Sequence, residues 1–125
     1  MSRSVRVIKK HAEYSSFKAF NWKSSDFYYL LRTLGCNIDD ADAYGDEFEY
    51  CVKEYETALD FLKEYKEKGN CKEIREKVKN DFNTDMTTLD YYINELEGID
   101  NVIKSMQYMY DERDKDYGYI TFVVW

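Results

Sequence analysis

Four groupings of side chains in this sequence have the composition of a reactive or ligand-binding site, and each makes its own demand on the backbone. The run Asp40-Ala41-Asp42-Ala43-Tyr44-Gly45 places acids at the first and third positions and glycine at the sixth, as a calcium-binding EF-hand loop does. The pattern then fails. Tyr44 stands at the fifth position, Glu47 at the eighth, and Cys51 at the twelfth, where a bidentate carboxylate is needed. An acidic segment leading into a helix accounts for the run.

His11, Cys36, Cys51 and Cys71 make a nominal zinc set, but none stands at the short paired spacing that pre-forms half a site. Cys51, and with it Cys36, reads as a small buried hydrophobe. Cys36 or Cys71 with His11 could form a nucleophile pair, yet no local signature surrounds any of them. Glu64-Tyr65-Lys66 has the Glu-x-Lys spelling of many metal-dependent nucleases. That chemistry needs a strand, whose alternation points residues i and i+2 to one side, and here the spelling falls in a helical pattern. No phosphate-binding loop, zinc-protease helix motif or nucleophile elbow occurs. The sequence therefore assigns no catalytic residue, no metal site and no cofactor.

The fourth grouping is a ladder of carboxylates. Glu56, Asp60 and Glu64 stand at successive i,i+4 positions, where like charges cost about 0.2–0.5 kcal/mol per pair. Asp39, Asp40, Asp42, Asp46 and Glu49 lie just upstream. Charge is unevenly placed along the chain: residues 1–36 carry seven basic and two acidic groups, and residues 37–60 carry one basic and nine acidic. Residues 61–79 return to seven basic and four acidic, and residues 80–125 carry three and ten, for a net charge of −7. Direct nucleic-acid binding by phosphate neutralisation is disfavoured. Thirteen tyrosines are a further oddity, with Tyr44, Tyr50, Tyr91, Tyr108 and Tyr117 next to acids and off the apolar stripes. Tyrosine supplies large contact area at small entropic cost and is enriched in protein-binding surfaces. The plain alternatives are a solvated acidic face and rings that cover helix junctions.

The elements that would carry these groups follow from periodicity. Residues 4–9 alternate as a short strand, and residues 118–125 are β-branched and aromatic, as a second strand would be. The aromatics from His11 to Lys23 fit a short helix or an ordered loop. A helix from Asp26 to Leu34 stops at Gly35, and Phe48, Cys51, Val52, Tyr55, Leu59, Leu62 and Tyr65 mark a long helix with Asp46, Glu47 and Glu49 in its first turn. Ile74 and Val78 mark a third, shorter helix. A fourth starts at Thr84 or Asp85 and carries Met86, Leu89, Ile93, Leu96, Ile99, Ile103, Met106 and Tyr110, with Gly98 as a kink or break. The expected fold is α+β and mostly helical: about four helices packed with a small antiparallel ribbon of the N- and C-terminal strands, in one compact domain over residues 1–125.

The apolar run after the basic start ends at Ile8 against Lys9-Lys10, and no window approaches the roughly 18 apolar residues of a membrane span. A cytoplasmic chain without membrane contact is expected. The leading functional expectation is a small, acidic, non-enzymatic binding protein. Its partner-binding set is Asp39, Asp40, Asp42, Tyr44, Asp46, Glu49, Glu56, Asp60 and Glu64, which would occlude a basic site on a protein partner such as a nuclease or another nucleic-acid-binding protein. In size and composition alone, the chain is similar to phage or mobile-element inhibitors of host defence nucleases, such as anti-CRISPR proteins; no motif carries the likeness. Alternatives are an immunity protein or antitoxin, a self-associating module that pairs as a homodimer through the Met86–Tyr110 stripe or a strand edge, a cysteine-dependent enzyme, and a small-ligand binder for which no residue pattern marks a pocket.

Overall fold

The computed structural model describes residues 5–8, 24–37 and 47–124. In chain order the elements are β1 (Val5–Ile8), α1 (Ser24–Thr33), β2 (Glu47–Cys51), α2 (Val52–Lys68), α3 (Lys72–Asn80), α4 (Met86–Glu95), α5 (Ile99–Asp111) and β3 (Tyr119–Val124). The architecture is α+β and mostly helical, with five helices among the described residues where about four were expected. The aromatic stretch from His11 to Lys23 and the acidic run from Asp40 to Gly45 lie outside the described residues.

The two outer strands of the sequence pair antiparallel as expected, Val5 opposite Val124 and Ile8 opposite Thr121. The sheet has a third member that the periodicity argument placed in a helix. Residues 47–51 form β2, also antiparallel to β3, so β3 is the central strand of the order β1-β3-β2. The physical reason is visible in the spelling Glu47-Phe48-Glu49-Tyr50-Cys51, an acid–aromatic alternation of period two that a helical stripe absorbs only by counting Phe48 and Cys51. Glu47 and Glu49 are therefore strand residues rather than the first turn of the main helix. Tyr50, expected at the surface, is fully buried. α2 begins directly after β2, and the Val52 N–H donates to the Gly118 carbonyl at 3.1 Å, so the sheet supplies a partner for one of the helix's first free N–H groups.

Phe122 is the meeting point of these elements. Fully buried on β3, its ring lies 5.5 Å from that of Phe27 on α1, 5.8 Å from Tyr50 on β2 and 5.7 Å from Tyr55 on α2. The first two contacts are edge-to-face, the geometry that the ring quadrupole favours. Tyr55 carries the packing outward to α5: its ring stacks parallel to Tyr110 at 6.2 Å, and its hydroxyl donates to the Met106 carbonyl at 2.8 Å. Burial drives the Tyr55 phenol pKa well above its ordinary value, so this group is a permanent donor. α2 also buries Ala58, Leu59, Phe61 and Leu62.

The expected fourth helix is two helices. Gly98 has φ 99°, a left-handed value costly for other residues, and its N–H returns to the Ile93 carbonyl at 2.9 Å, ending α4 before α5 starts. The break resets the helical phase. α4 and its end bury Leu89, Ile93 and Leu96 as expected, whereas α5 buries Val102, Met106 and Met109 and leaves Ile99, Ile103 and Tyr110 half-buried. These residues lie in this chain's own core or pack against it. At the other end of α4, Asp85 accepts the Thr88 N–H at 2.7 Å, the capping expected of it.

Truncating the central ring should be far more damaging than removing the polar contact beside it. Phe122→Ala should cost about 3–5 kcal/mol and Tyr55→Phe about 1 kcal/mol in urea denaturation. Equal and small losses for both would contradict the central place given to Phe122.

Candidate functional site

The acids carried by β2, α2 and α5 fall into two electrostatic kinds. Glu64 is the first kind. Its carboxylate accepts hydrogen bonds from Lys77 at 2.9 Å and from Lys68 at 3.3 Å, and Lys68 also reaches Glu73 at 2.9 Å. The two lysine contacts hold the Glu64 carboxyl below its ordinary value, with Lys77 the larger cause. Lysine neutralises what the ladder would otherwise present at this position. The neighbouring Lys66 turns away to Asp100 at 2.6 Å, so Glu64 and Lys66 engage separate partners rather than converging on a metal.

The second kind is held by neutral donors. Glu49 on β2 lies opposite Thr121 in the sheet register. It accepts the Tyr117 hydroxyl at 3.0 Å and the Thr121 hydroxyl at 3.1 Å, one on each carboxylate oxygen. The Glu56 carboxylate acts on the Tyr110 phenol, whose pKa is raised first by burial and then by this carboxylate. Asp111, at the end of α5, accepts the Gln107 amide at 2.9 Å, and that same amide accepts Lys63 at 2.6 Å. Lys63 is thereby engaged by α5. Arg113 lies 3.8 Å over the Tyr110 ring and donates to the Tyr110 carbonyl at 2.8 Å. Asp60 is exposed between Glu56 and Glu64 and pairs with no cation among the described residues. A phenol, a threonine hydroxyl or an amide fixes the direction of a carboxylate while leaving its full negative charge.

Of the nine residues expected to form the site, Glu49, Glu56 and Asp60 have no cation partner among the described residues, and Glu64 has two. Asp39, Asp40, Asp42, Tyr44 and Asp46 lie outside the described residues. Asp111 and the donors Tyr110, Tyr117, Gln107 and Thr121 were not singled out from sequence. Their role depends on tertiary pairings, some separated by 68 and 72 residues, that no local spacing reveals. Tyr117 was noted beside acids, and its hydroxyl indeed meets one. Tyr91 and Tyr108 are exposed as expected, at 56% and 37%.

The reactive alternatives can be placed as well. Cys36 is buried, its thiol donates to the Glu54 carbonyl at 3.4 Å, and burial followed by the Glu54 carboxylate pushes its pKa up to about 12. Both the burial and the raised pKa disfavour the thiolate at neutral pH. Cys51 and Cys71 are half-buried free cysteines, and His11 lies outside the described residues. Among the described residues no three His, Cys, Asp or Glu side chains are grouped to hold a metal ion. No described helix is long and apolar enough to cross a membrane.

No protein-family model matches the chain, and neither a curated protein nor a solved structure matches it.

The Glu64 pairing makes a pH-dependent prediction. Its folded carboxyl lies below the ordinary value of 4.5, so its stabilising effect is fully present above that value and is lost as the pH falls through the depressed folded value. Glu64→Gln should melt below the unaltered protein at pH 7, and the gap should close on acidification. A gap independent of pH would show that the two lysines do not act on the Glu64 charge.

Proposed function

We propose that this chain is a small, acidic, non-enzymatic binding protein that occludes a basic, nucleic-acid-binding site on a protein partner. The observation that carries the reading is the chemistry of the donors around Glu49, Glu56 and Asp111. Tyrosine, threonine and glutamine orient these carboxylates without cancelling their charge. In this reading they act with exposed Asp60 as the anionic groups that meet the partner. Charge repulsion among acids opposes folding, so acids with no cation partner among the described residues are better explained by an external cation than by stability. A groove built to hold phosphates supplies arginine and lysine at high local density, and fixed carboxylates meet it without the entropy loss of ordering flexible side chains.

Glu64 has a different part in this reading. It anchors α3 to α2 through Lys77 and Lys68, and the contact set becomes Glu49, Glu56, Asp60 and Asp111, flanked by exposed Tyr108. Tyrosine beside acid suits a partner surface rich in arginine, which accepts both a carboxylate fork and an aromatic face.

Affinity capture from lysate, followed by binding assays on the purified partner, tests the reading. The partner should be basic, should release nucleic acid stoichiometrically as the protein binds, and should bind the double variant Glu56→Lys/Asp60→Lys at least about tenfold more weakly. Glu64→Gln should retain affinity within about twofold, a difference of only about 0.4 kcal/mol. A folded Glu56→Lys/Asp60→Lys protein with unchanged affinity, or a partner that keeps its nucleic acid in the complex, would contradict the proposal.

A further inference from the structure

Away from the acidic face, α1 and α4 frame a cleft of about 340 Å3. Helical spacing builds both walls. Tyr29, Arg32 and Thr33 stand at i, i+3 and i+4 on α1, and Thr88 and Tyr92 stand at i and i+4 on α4, so each set shares one helix face. The turn between α3 and α4, with Phe82 and Asn83, closes one end. Tyr29 and Tyr92 stack across the two helices with ring centroids 5.9 Å apart and planes 27° apart. Tyr28 and Tyr91 extend this pair by edge contacts at 5.3 and 5.2 Å. Tyr29 is nonetheless 44% exposed, so π surface remains open at the cleft.

The electrostatics of the cleft run against those of the chain. With 25 acidic residues in the sequence, none of the described side chains lining the cleft is a carboxylate. The one charge among the described lining residues is the Arg32 guanidinium, which is exposed and has no carboxylate within ion-pairing distance among the described residues. The first turn of α4 is already engaged, because Asp85 caps it at the Thr88 N–H. An incoming anion is thus directed to Arg32 rather than to the helix end.

We propose that this cleft binds a nucleoside monophosphate, with the base stacked on the Tyr29–Tyr92 pair and the phosphate on Arg32. The planar faces demand a flat aromatic ring, the guanidinium demands an anion, and the Asn83 amide and Thr88 hydroxyl supply donors and acceptors for a base edge or ribose. The volume lies at the small end of ligand clefts, which suits one nucleotide and not a dinucleotide. A longer polyanion is opposed by the net charge of −7. This site is independent of the acidic face, which other elements form.

Isothermal titration of the full chain with AMP, GMP, CMP and UMP tests the proposal, with inorganic phosphate, the four nucleosides and a short single-stranded oligonucleotide as separate arms. At least one monophosphate should bind, and its nucleoside and phosphate alone should each bind at least about tenfold more weakly. Arg32→Gln and Tyr92→Leu should each weaken binding by about tenfold or more. Because Arg32 is exposed, Arg32→Gln should melt with the unaltered protein, which separates loss of the site from loss of the fold. No binding of any monophosphate at about 1 mM, affinity retained in folded Arg32→Gln, phosphate binding as tightly as the nucleotide, or tighter binding of the oligonucleotide would each overturn it.

Discussion

The burial of one phenylalanine ring on the central strand is the constraint to which the other described elements conform. Phe122 takes contacts from α1 through Phe27, from β2 through Tyr50 and from α2 through Tyr55. β3 can offer that ring only as a central strand, paired on one side with β1 and on the other with β2. Tyr55 then passes the constraint to α5 through Tyr110 and the Met106 carbonyl, and burial and then the Glu56 carboxylate raise the pKa of the Tyr110 phenol. A continuous aromatic path thus leads from the centre of the core to a surface carboxylate. Such a path sets position more rigidly than aliphatic packing does, because flat rings leave few alternative arrangements.

Among the described acids, Glu64 is tied to lysines that join two helices, whereas Glu49 and Asp111 are held by neutral donors. Glu64 belongs to the first group, since α3 brings Lys77 to it and the end of α2 brings Lys68. Glu49 and Asp111 belong to the second. Both arrangements satisfy hydrogen bonding, and only the second leaves an outward field. Long-range steering of a basic partner depends on that field.

Much of the fold was legible in the sequence where one period dominated. The strand at Val5–Ile8, the body of α2, the Asp85 cap and the pairing of the two terminal strands all follow from alternation, helical spacing or cap chemistry. β2 was not, because Phe48 and Cys51 coincide with the phase of the helix that follows and hide a five-residue alternation. Misplacing that strand also misplaced Tyr50, which faces the core beside Phe122. The ladder Glu56–Asp60–Glu64 was legible as a row of charges but not as two electrical kinds, since Lys77 is 13 residues from Glu64 and lies on another helix. Likewise, nothing in the sequence singled out Tyr29 or Tyr92, and only the packing of α1 on α4 makes them a stacked pair.

The most direct measurement of the central claim is the ionic-strength dependence of the association rate with the captured partner, followed by stopped-flow mixing. An anionic face that acts by steering should lose association rate steeply as salt rises from about 10 mM to 150 mM, a range over which the Debye length falls from about 30 Å to 8 Å, while dissociation changes far less. An association rate that stays flat across that range would contradict the claim and leave the uncompensated carboxylates as solvated surface.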